Sequence, residues 1–111
     1  MNDILEKLQQ TILERKNADG ETSYVASLLN ADIEKVGRKV TEEASEVLVS
    51  ALKETDDRIV SESADLLFHL MVLLAHKNID VQDVLKELES RMGISGLDEK
   101  AARIAKDKGK L

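Results

Sequence analysis

The residues best suited to chemistry in this chain are acids spaced along two predicted helices. In the first helix, Glu43 and Glu46 lie three residues apart, and Lys39 lies one turn earlier. Side chains three or four residues apart share one face of an α-helix, so these three groups project together. Glu42 is rotated away from that face by about a third of a turn. The first helix therefore offers two carboxylates and one ammonium group on one face.

A second row of polar side chains lies in the most apolar stretch of the sequence. Glu62, Asp65 and His69 fall within about 60° of one another on a helix. A charged residue in such a helix is costly unless it is paired or coordinated. If the two helices pair through their apolar faces, four carboxylates meet at the edge of the interface. Because like charges repel and hard oxygen donors suit Mg²⁺ or Mn²⁺, we predict a divalent-cation site.

Each of these patterns also has a purely structural interpretation. Acids fill 22 of 111 positions, so the first row is also consistent with a solvated helix face that arose by chance. His69 could be a histidine at the core edge, bonded to a carboxylate or a backbone carbonyl. Lys39 and Glu43 have the spacing of an ordinary surface ion pair. His76, near a helix end, interacts favourably with the helix dipole and needs no functional role.

The composition predicts a single all-α domain over residues 1–111, with residues 95–111 as a peripheral segment. A chain of 111 residues has room for one domain, and strong helix formers dominate it. Tyr24 and Phe68 are its only aromatic residues, so the core must be aliphatic. There is no proline to break a helix. The absence of cysteine excludes disulfides and thiolate metal sites.

The charge and the apolar pattern exclude several classes of function. The net charge of −6 argues against broad nucleic-acid binding. Residues 100–111 hold five bases and one acid, so residues 1–99 carry −10 and need metal ions to bind an anion. The longest apolar run, Leu70 to Ala75, is too short to span a membrane, and no secretory signal is visible. We therefore expect a cytoplasmic protein without a membrane partner.

Apolar periodicity places the elements that must position these residues. Helices are expected at residues 2–16, 33–54, 58–76 and 81–92, with a short helix or irregular segment at 21–30 and a final helix from Ser95 to Ala105. The expected caps are Asp32, Thr55 or Asp56, and Asp80, and Gly93 is expected to end the fifth helix. The apolar side of the 33–54 helix groups Val36 with Ala44, Leu48 and Ala51, among others. The fourth helix is apolar over more than half of its circumference, which predicts either a central helix or a subunit interface.

The acidic rows resemble a known family signature. Glu42-Glu43-x-x-Glu46 followed after fifteen residues by Glu62-x-x-Asp65 resembles the motif of the all-α, MazG-like nucleotide pyrophosphohydrolases. Further segments look like the phosphoribosyl-ATP pyrophosphohydrolase family of histidine biosynthesis. These segments are Ser23–Leu28, Lys39–Glu43, Glu62–Leu74, Val84–Arg91 and the tail from Ser95 to Arg103. The resemblance extends from about Asp3 to Arg103.

The resemblance implies a fold, a reaction and a cofactor. The implied fold is a MazG-like bundle of about five helices, completed by homodimerisation. The implied reaction is Mg²⁺-dependent hydrolysis of the α–β phosphoanhydride of 1-(5-phosphoribosyl)-ATP. Its products are 1-(5-phosphoribosyl)-AMP and pyrophosphate, at the second step of histidine biosynthesis. The expected partner is thus a small nucleotide substrate.

The resemblance also assigns roles to individual residues. The metal ligands would be Glu43, Glu46, Glu62 and Asp65. Glu42 would support the metal ligands or act as a water-orienting base. The phosphate, ribose and substrate-loop contacts would be Lys39, His69, Ser23 and Tyr24. Two positions depart from the family pattern: Thr41 replaces a glycine and Phe68 replaces a tyrosine.

Three other functions remain open from the sequence. The first is a house-cleaning pyrophosphohydrolase acting on non-standard nucleoside triphosphates, which would use the same acids. The second is a di-iron carboxylate bundle, although that class needs two Glu-x-x-His motifs and this chain has one Asp65-x-x-x-His69. The third is a non-catalytic helical interaction module whose acids are merely solvated.

Overall fold

The computed structural model describes residues 3–20, 23–92 and 104, and within them it contains α-helices and no strands. The chain divides into two compact units, Met1–Val81 and Gln82–Leu111. The helices are α1 (Ile4–Glu14), α2 (Tyr24–Leu29), α3 (Ile33–Lys53), α4 (Asp56–His76) and α5 (Val81–Ser90). The predicted all-α class is confirmed.

The long helices α3 and α4 form the frame of the first unit. They pack against each other more extensively than any other pair, and α1 and α2 pack against α4. Asp32 and Thr55 occupy the N-cap positions of these helices, as predicted, although neither side chain makes a capping hydrogen bond. Because only Glu54 and Thr55 separate α3 from α4, the two helices must run antiparallel as a hairpin.

The core of the first unit is aliphatic, as the composition predicts. Its fully buried side chains include Ile12, Leu28, Val36 and Val72, which bring α1, α2, α3 and α4 together. The segment at 21–30, which the sequence left open between helix and irregular structure, contains the six-residue helix α2. Such a short helix is stabilised mainly by tertiary packing, here through Ala26 and Leu28.

The face of α3 that is buried differs from the face that the apolar pattern suggests. Val36, Glu43 and Ser50 are buried at intervals of seven residues, which keeps them on one side of the helix. Leu48 is 61% exposed, and Ala44 and Ala51 are also exposed. The polar Glu43 is therefore placed inside, and an apolar stripe is left on the surface of this chain.

Helix α4 combines an apolar character with buried polar groups. By length and composition alone it is apolar enough to cross a membrane, a test that core helices of soluble proteins also pass. Its buried residues include Met71 and Val72 but also Glu62 and His69. A helix that is apolar over a wide arc and also buries two ionisable side chains is typical of a central helix that borders a polar site.

Helix α5 begins directly after Asp80, as predicted, and ends at Ser90, two residues before Met92. Its first residue, Val81, is the last residue of the first unit, and its other residues belong to the second. Arg91 forms an ion pair of 2.6 Å with Glu87, one turn earlier. The expected stop at Gly93 lies outside the described residues. So does the expected segment 95–111 with its final helix, apart from Ile104, which is helical.

Candidate active site

Three of the predicted metal ligands form one cluster between α3 and α4. Glu43, Glu62 and Asp65 each present a carboxylate oxygen, and these oxygens lie within 4.8 Å of one another. Glu43 and Glu62 are buried, with 7% and 6% of their surface exposed, whereas Asp65 is exposed. The cluster therefore has two buried ligands and one ligand facing solvent, which leaves it open on one side.

Each buried carboxylate has one paired oxygen and one oxygen without a partner. Glu43 Oε1 lies 3.6 Å from the Lys39 ammonium, and Glu62 Oε1 accepts a hydrogen bond of 2.8 Å from Arg58. The Oε2 atoms of both residues are buried and lack a hydrogen-bond partner. Burying a charged oxygen without a partner is costly. Two such oxygens in one acidic cluster fit a hard divalent cation.

Glu46, the fourth predicted ligand, lies beside this cluster rather than within it. The interaction of its carboxyl group with that of Glu62 is the main reason that the pKa of Glu62 is raised above its ordinary 4.5. Burial and the charges of Glu46 and Asp65 raise the pKa of Glu62 further, while Arg58 lowers it. Two carboxyl groups this close share a proton more readily than they share two negative charges. Glu46 is exposed, and it interacts with Glu62 without being one of the three clustered residues.

Lys39 lies at the α3 side of the cluster as a cation shared between two acids. Its ammonium group is 3.2 Å from Glu42 and 3.6 Å from Glu43. The hydrogen bond to Glu42 is the largest effect that raises the pKa of Lys39, and the charges of Glu42 and Glu43 add to it. Burial opposes this effect. Lys39 stays positively charged next to the acids, and Glu42 points into solvent with Lys39 as its partner.

His69 and Tyr24 form a polar and aromatic wall beside the acids. The His69 ring bonds the Asp65 carbonyl through Nδ1 and the Tyr24 hydroxyl through Nε2, both at 2.8 Å. A carbonyl only accepts, so Nδ1 carries a proton, and in the tautomer that has its one proton there Nε2 accepts from the Tyr24 hydroxyl. Phe68 completes the wall, because its ring centroid is 5.0 Å from that of His69 and 6.3 Å from that of Tyr24.

Ser23 and the two departures from the family pattern have structural contacts. Ser23 caps α2 by accepting a hydrogen bond of 3.2 Å from the Ala26 amide, which fixes the start of the helix that carries Tyr24. Thr41 is exposed and donates its hydroxyl to the Arg38 carbonyl. The ring of Phe68 stacks on Tyr24 without needing a hydroxyl. Substrate binding by Ser23 stays a prediction.

Arg58 belongs to this site although no motif marked it. Its guanidinium bonds Glu62 at 2.8 Å and Glu54 at 3.1 Å. The spacing of four residues between Arg58 and Glu62 equals that between Lys39 and Glu43. This spacing places the two side chains on one helix face, and it is the signal in the sequence that could have identified Arg58. The ion pair between Arg58 and Glu62 is significant because Glu62 is buried, and only the structure shows that burial.

Comparisons with known proteins agree with this geometry. A family described as "Phosphoribosyl-ATP pyrophosphohydrolase" matches residues 5–92. A "Phosphoribosyl-ATP pyrophosphatase" of Neisseria gonorrhoeae is 50% identical over 90% of this chain and 94% of its own length. Proteins of the same name from Erythrobacter litoralis and Ruthia magnifica are 48% and 46% identical. They cover 89% and 93% of this chain, and 95% and 98% of their own lengths.

Matches of this length and identity leave little of the chain outside the comparison, and they include every residue of the acid cluster and of the aromatic wall. The chain belongs to the phosphoribosyl-ATP pyrophosphohydrolase family.

Proposed function

We propose that this protein is a phosphoribosyl-ATP pyrophosphohydrolase that cleaves the α–β phosphoanhydride of 1-(5-phosphoribosyl)-ATP. The products are 1-(5-phosphoribosyl)-AMP and pyrophosphate, and the reaction is the second step of histidine biosynthesis. Family membership supports the substrate. The observation that carries the chemistry is the pair of buried, unpartnered carboxylate oxygens on Glu43 and Glu62 within the acid cluster.

The cofactor that fits this cluster is Mg²⁺, with Mn²⁺ as an alternative. Glu43, Glu62 and Asp65 would hold it, and Glu46, whose carboxyl group interacts with that of Glu62, would be the fourth ligand. Both metals prefer hard oxygen ligands, and this donor set contains nothing else. When bound, the cation neutralises phosphate oxygens and lowers the pKa of a bound water molecule. An acidic protein can thereby bind a polyanionic substrate.

The residues around the cluster then bind and orient the substrate. Hydrolysis of a phosphoanhydride needs a water molecule in line with the leaving pyrophosphate. Lys39 provides a positive charge for phosphate. The Tyr24 hydroxyl would contact phosphate or ribose, and His69, whose two ring nitrogens bond the Asp65 carbonyl and that hydroxyl, would contribute by holding the hydroxyl in place. Glu42, nominated as a water-orienting base, pairs with Lys39 through its Oε2 atom.

A homodimer in the cytoplasm is part of the proposal. Helices α3 and α4 carry exposed apolar side chains, among them Leu48, Leu52, Val60 and Leu67. Apolar patches on a folded surface often mark association sites, and a second copy is the partner that dimerisation supplies. The members of this family are soluble enzymes. A biosynthetic enzyme acting on a nucleotide is expected where that nucleotide is made.

The substrate assignment is tested by turnover of a substrate panel. We expect the purified protein with Mg²⁺ to release pyrophosphate from phosphoribosyl-ATP far faster than from deoxynucleoside triphosphates. Preference for non-standard deoxynucleoside triphosphates would instead indicate the house-cleaning function. Calorimetric titration with Mg²⁺ or Mn²⁺, with and without a triphosphate analogue, tests the interaction-module alternative, which predicts no heat of binding.

A further inference from the structure

Within the described part of the chain, Arg58 contacts the acid cluster at one oxygen of Glu62. Its Nη2 atom donates to Glu62 Oε1 at 2.8 Å, while Glu62 Oε2 is buried without a partner. The guanidinium is also anchored on its other side, because Nε donates to Glu54 Oε2 at 3.1 Å. Glu54 is the C-cap residue directly after α3 and Arg58 lies in α4, so the guanidinium also connects the end of α3 to α4.

This arrangement restricts the Glu62 carboxylate. A glutamate has three side-chain torsions, and its terminal torsion is broad, so a carboxylate held at no point would sample several orientations. An arginine fork presents its donors in a fixed plane, unlike the single flexible ammonium of lysine. With Oε1 held by Arg58, the orientation of Oε2 is set. Ligating carboxylates in metal sites are commonly held by such outer hydrogen bonds.

We propose that Arg58 is a positioning residue that holds Glu62 Oε1 so that Oε2 is presented to the divalent cation. The inference rests on the proposed metal-dependent function. Arg58 itself touches neither metal nor substrate in this role. Glu54 serves as the anchor that keeps the guanidinium in place.

Positioning and simple electrostatics predict opposite results for the same substitution. Arg58→Gln removes a positive charge beside a cation site, and by Coulomb's law alone this strengthens cation binding. If Arg58 positions Glu62, the substitution weakens binding because the ligand is no longer held. Loss of an outer hydrogen-bonding partner typically weakens metal affinity about 10- to 100-fold.

The experiment is calorimetric titration of the metal-free full-length chain with Mn²⁺. We expect the Kd of Arg58→Gln to rise at least about tenfold, with Arg58→Lys intermediate because it keeps the charge but loses the fork. Arg38→Gln is the matched control, since it makes the same charge change at an exposed pair 4.0 Å apart on α3. Circular dichroism and thermal melts establish that each variant is folded.

A second measurement separates positioning from general damage. The turnover of Arg58→Gln should recover toward the wild-type kcat when Mg²⁺ is raised to saturation, because the ligand set is intact. Unchanged or tighter Mn²⁺ binding in folded Arg58→Gln overturns the positioning role and leaves the proposed function standing. If the wild-type protein itself binds no Mn²⁺, the metal site and the role of Arg58 are both overturned.

Discussion

The Tyr24 hydroxyl donates a hydrogen bond of 2.8 Å to Nε2 of His69, across 45 residues of sequence. Tyr24 is 52% exposed, whereas His69 is buried. The bond therefore connects a half-exposed residue on the short helix α2 with a buried residue on α4. Because Nδ1 of His69 bonds the carbonyl of Asp65, the same ring connects Tyr24 to the backbone of a predicted metal ligand.

Tyr24→Phe tests whether this bond positions substrate-binding groups. The change leaves a buried imidazole nitrogen without its partner, so we expect unfolding free energy to fall by about 1 kcal/mol. We expect KM for phosphoribosyl-ATP to rise roughly three- to tenfold with little change in kcat. Steady-state kinetics and urea denaturation measure both quantities.

Phe68→Leu is the matched comparison for Tyr24→Phe, because it removes the ring stacking but keeps the hydroxyl bond. If Phe68→Leu raises KM as much as Tyr24→Phe does, the aromatic packing matters and the hydroxyl does not. A normal KM in Tyr24→Phe would remove Tyr24 and its bond from the substrate site.

Asp65→Asn and Glu46→Gln test the acids as metal ligands. Each change removes a charge from the cluster but keeps the side-chain shape, so we expect turnover to fall at least about 100-fold while the helical circular dichroism spectrum is retained. Glu34→Gln, an exposed acid on α3 paired with Arg38, serves as the control. Full activity in purified Asp65→Asn would contradict the metal-site assignment.

The raised pKa of Glu62 predicts a pH dependence of the metal-free protein. A carboxyl group with a raised pKa binds its proton more tightly when the protein is folded. Ionisation of Glu62 therefore destabilises the folded protein. This destabilisation is absent below the pKa of Glu62 in the unfolded chain, about 4.5. The effect grows as pH rises through the raised value, and it persists above that value.

Glu62→Gln removes this contribution, so in EDTA we expect the variant to be more stable than wild type at neutral pH. The difference should shrink toward zero as pH falls to about 4.5, where Glu62 is protonated and resembles glutamine. Denaturant melts at a series of pH values measure this difference. A difference that stays constant between acidic and neutral pH would show that Glu62 titrates normally.

Leu52→Lys tests the proposed homodimer. Leu52 is 72% exposed on α3, so a lysine there has little effect on the fold of one chain but places a charge in an apolar contact between two chains. We expect the variant to sediment as a monomer and wild type as a dimer. Gln10→Lys adds the same charge at an exposed position of α1 and should leave the dimer intact. A dimeric Leu52→Lys would place the interface elsewhere.

Much of the fold was predictable because it depends on local pattern. Apolar periodicity placed α3 and α4 to within a few residues, since helix period and capping chemistry are properties of neighbouring residues. The acidic spacings identified Glu43, Glu62 and Asp65 for the same reason, because residues three apart on a helix share a face whatever surrounds them. Short α2 stayed ambiguous because packing rather than propensity stabilises a helix of that length.

The sequence by itself determined the helices, the acids they carry and the family that those acids resemble. Only the tertiary structure decided which face of α3 is buried, and so placed Glu43 inside while leaving Leu48 exposed. Only the fold brought Tyr24 to His69 and showed that Arg58 holds a buried carboxylate. The reason is physical: helical spacing specifies which side chains share a face, but burial depends on how separate helices pack.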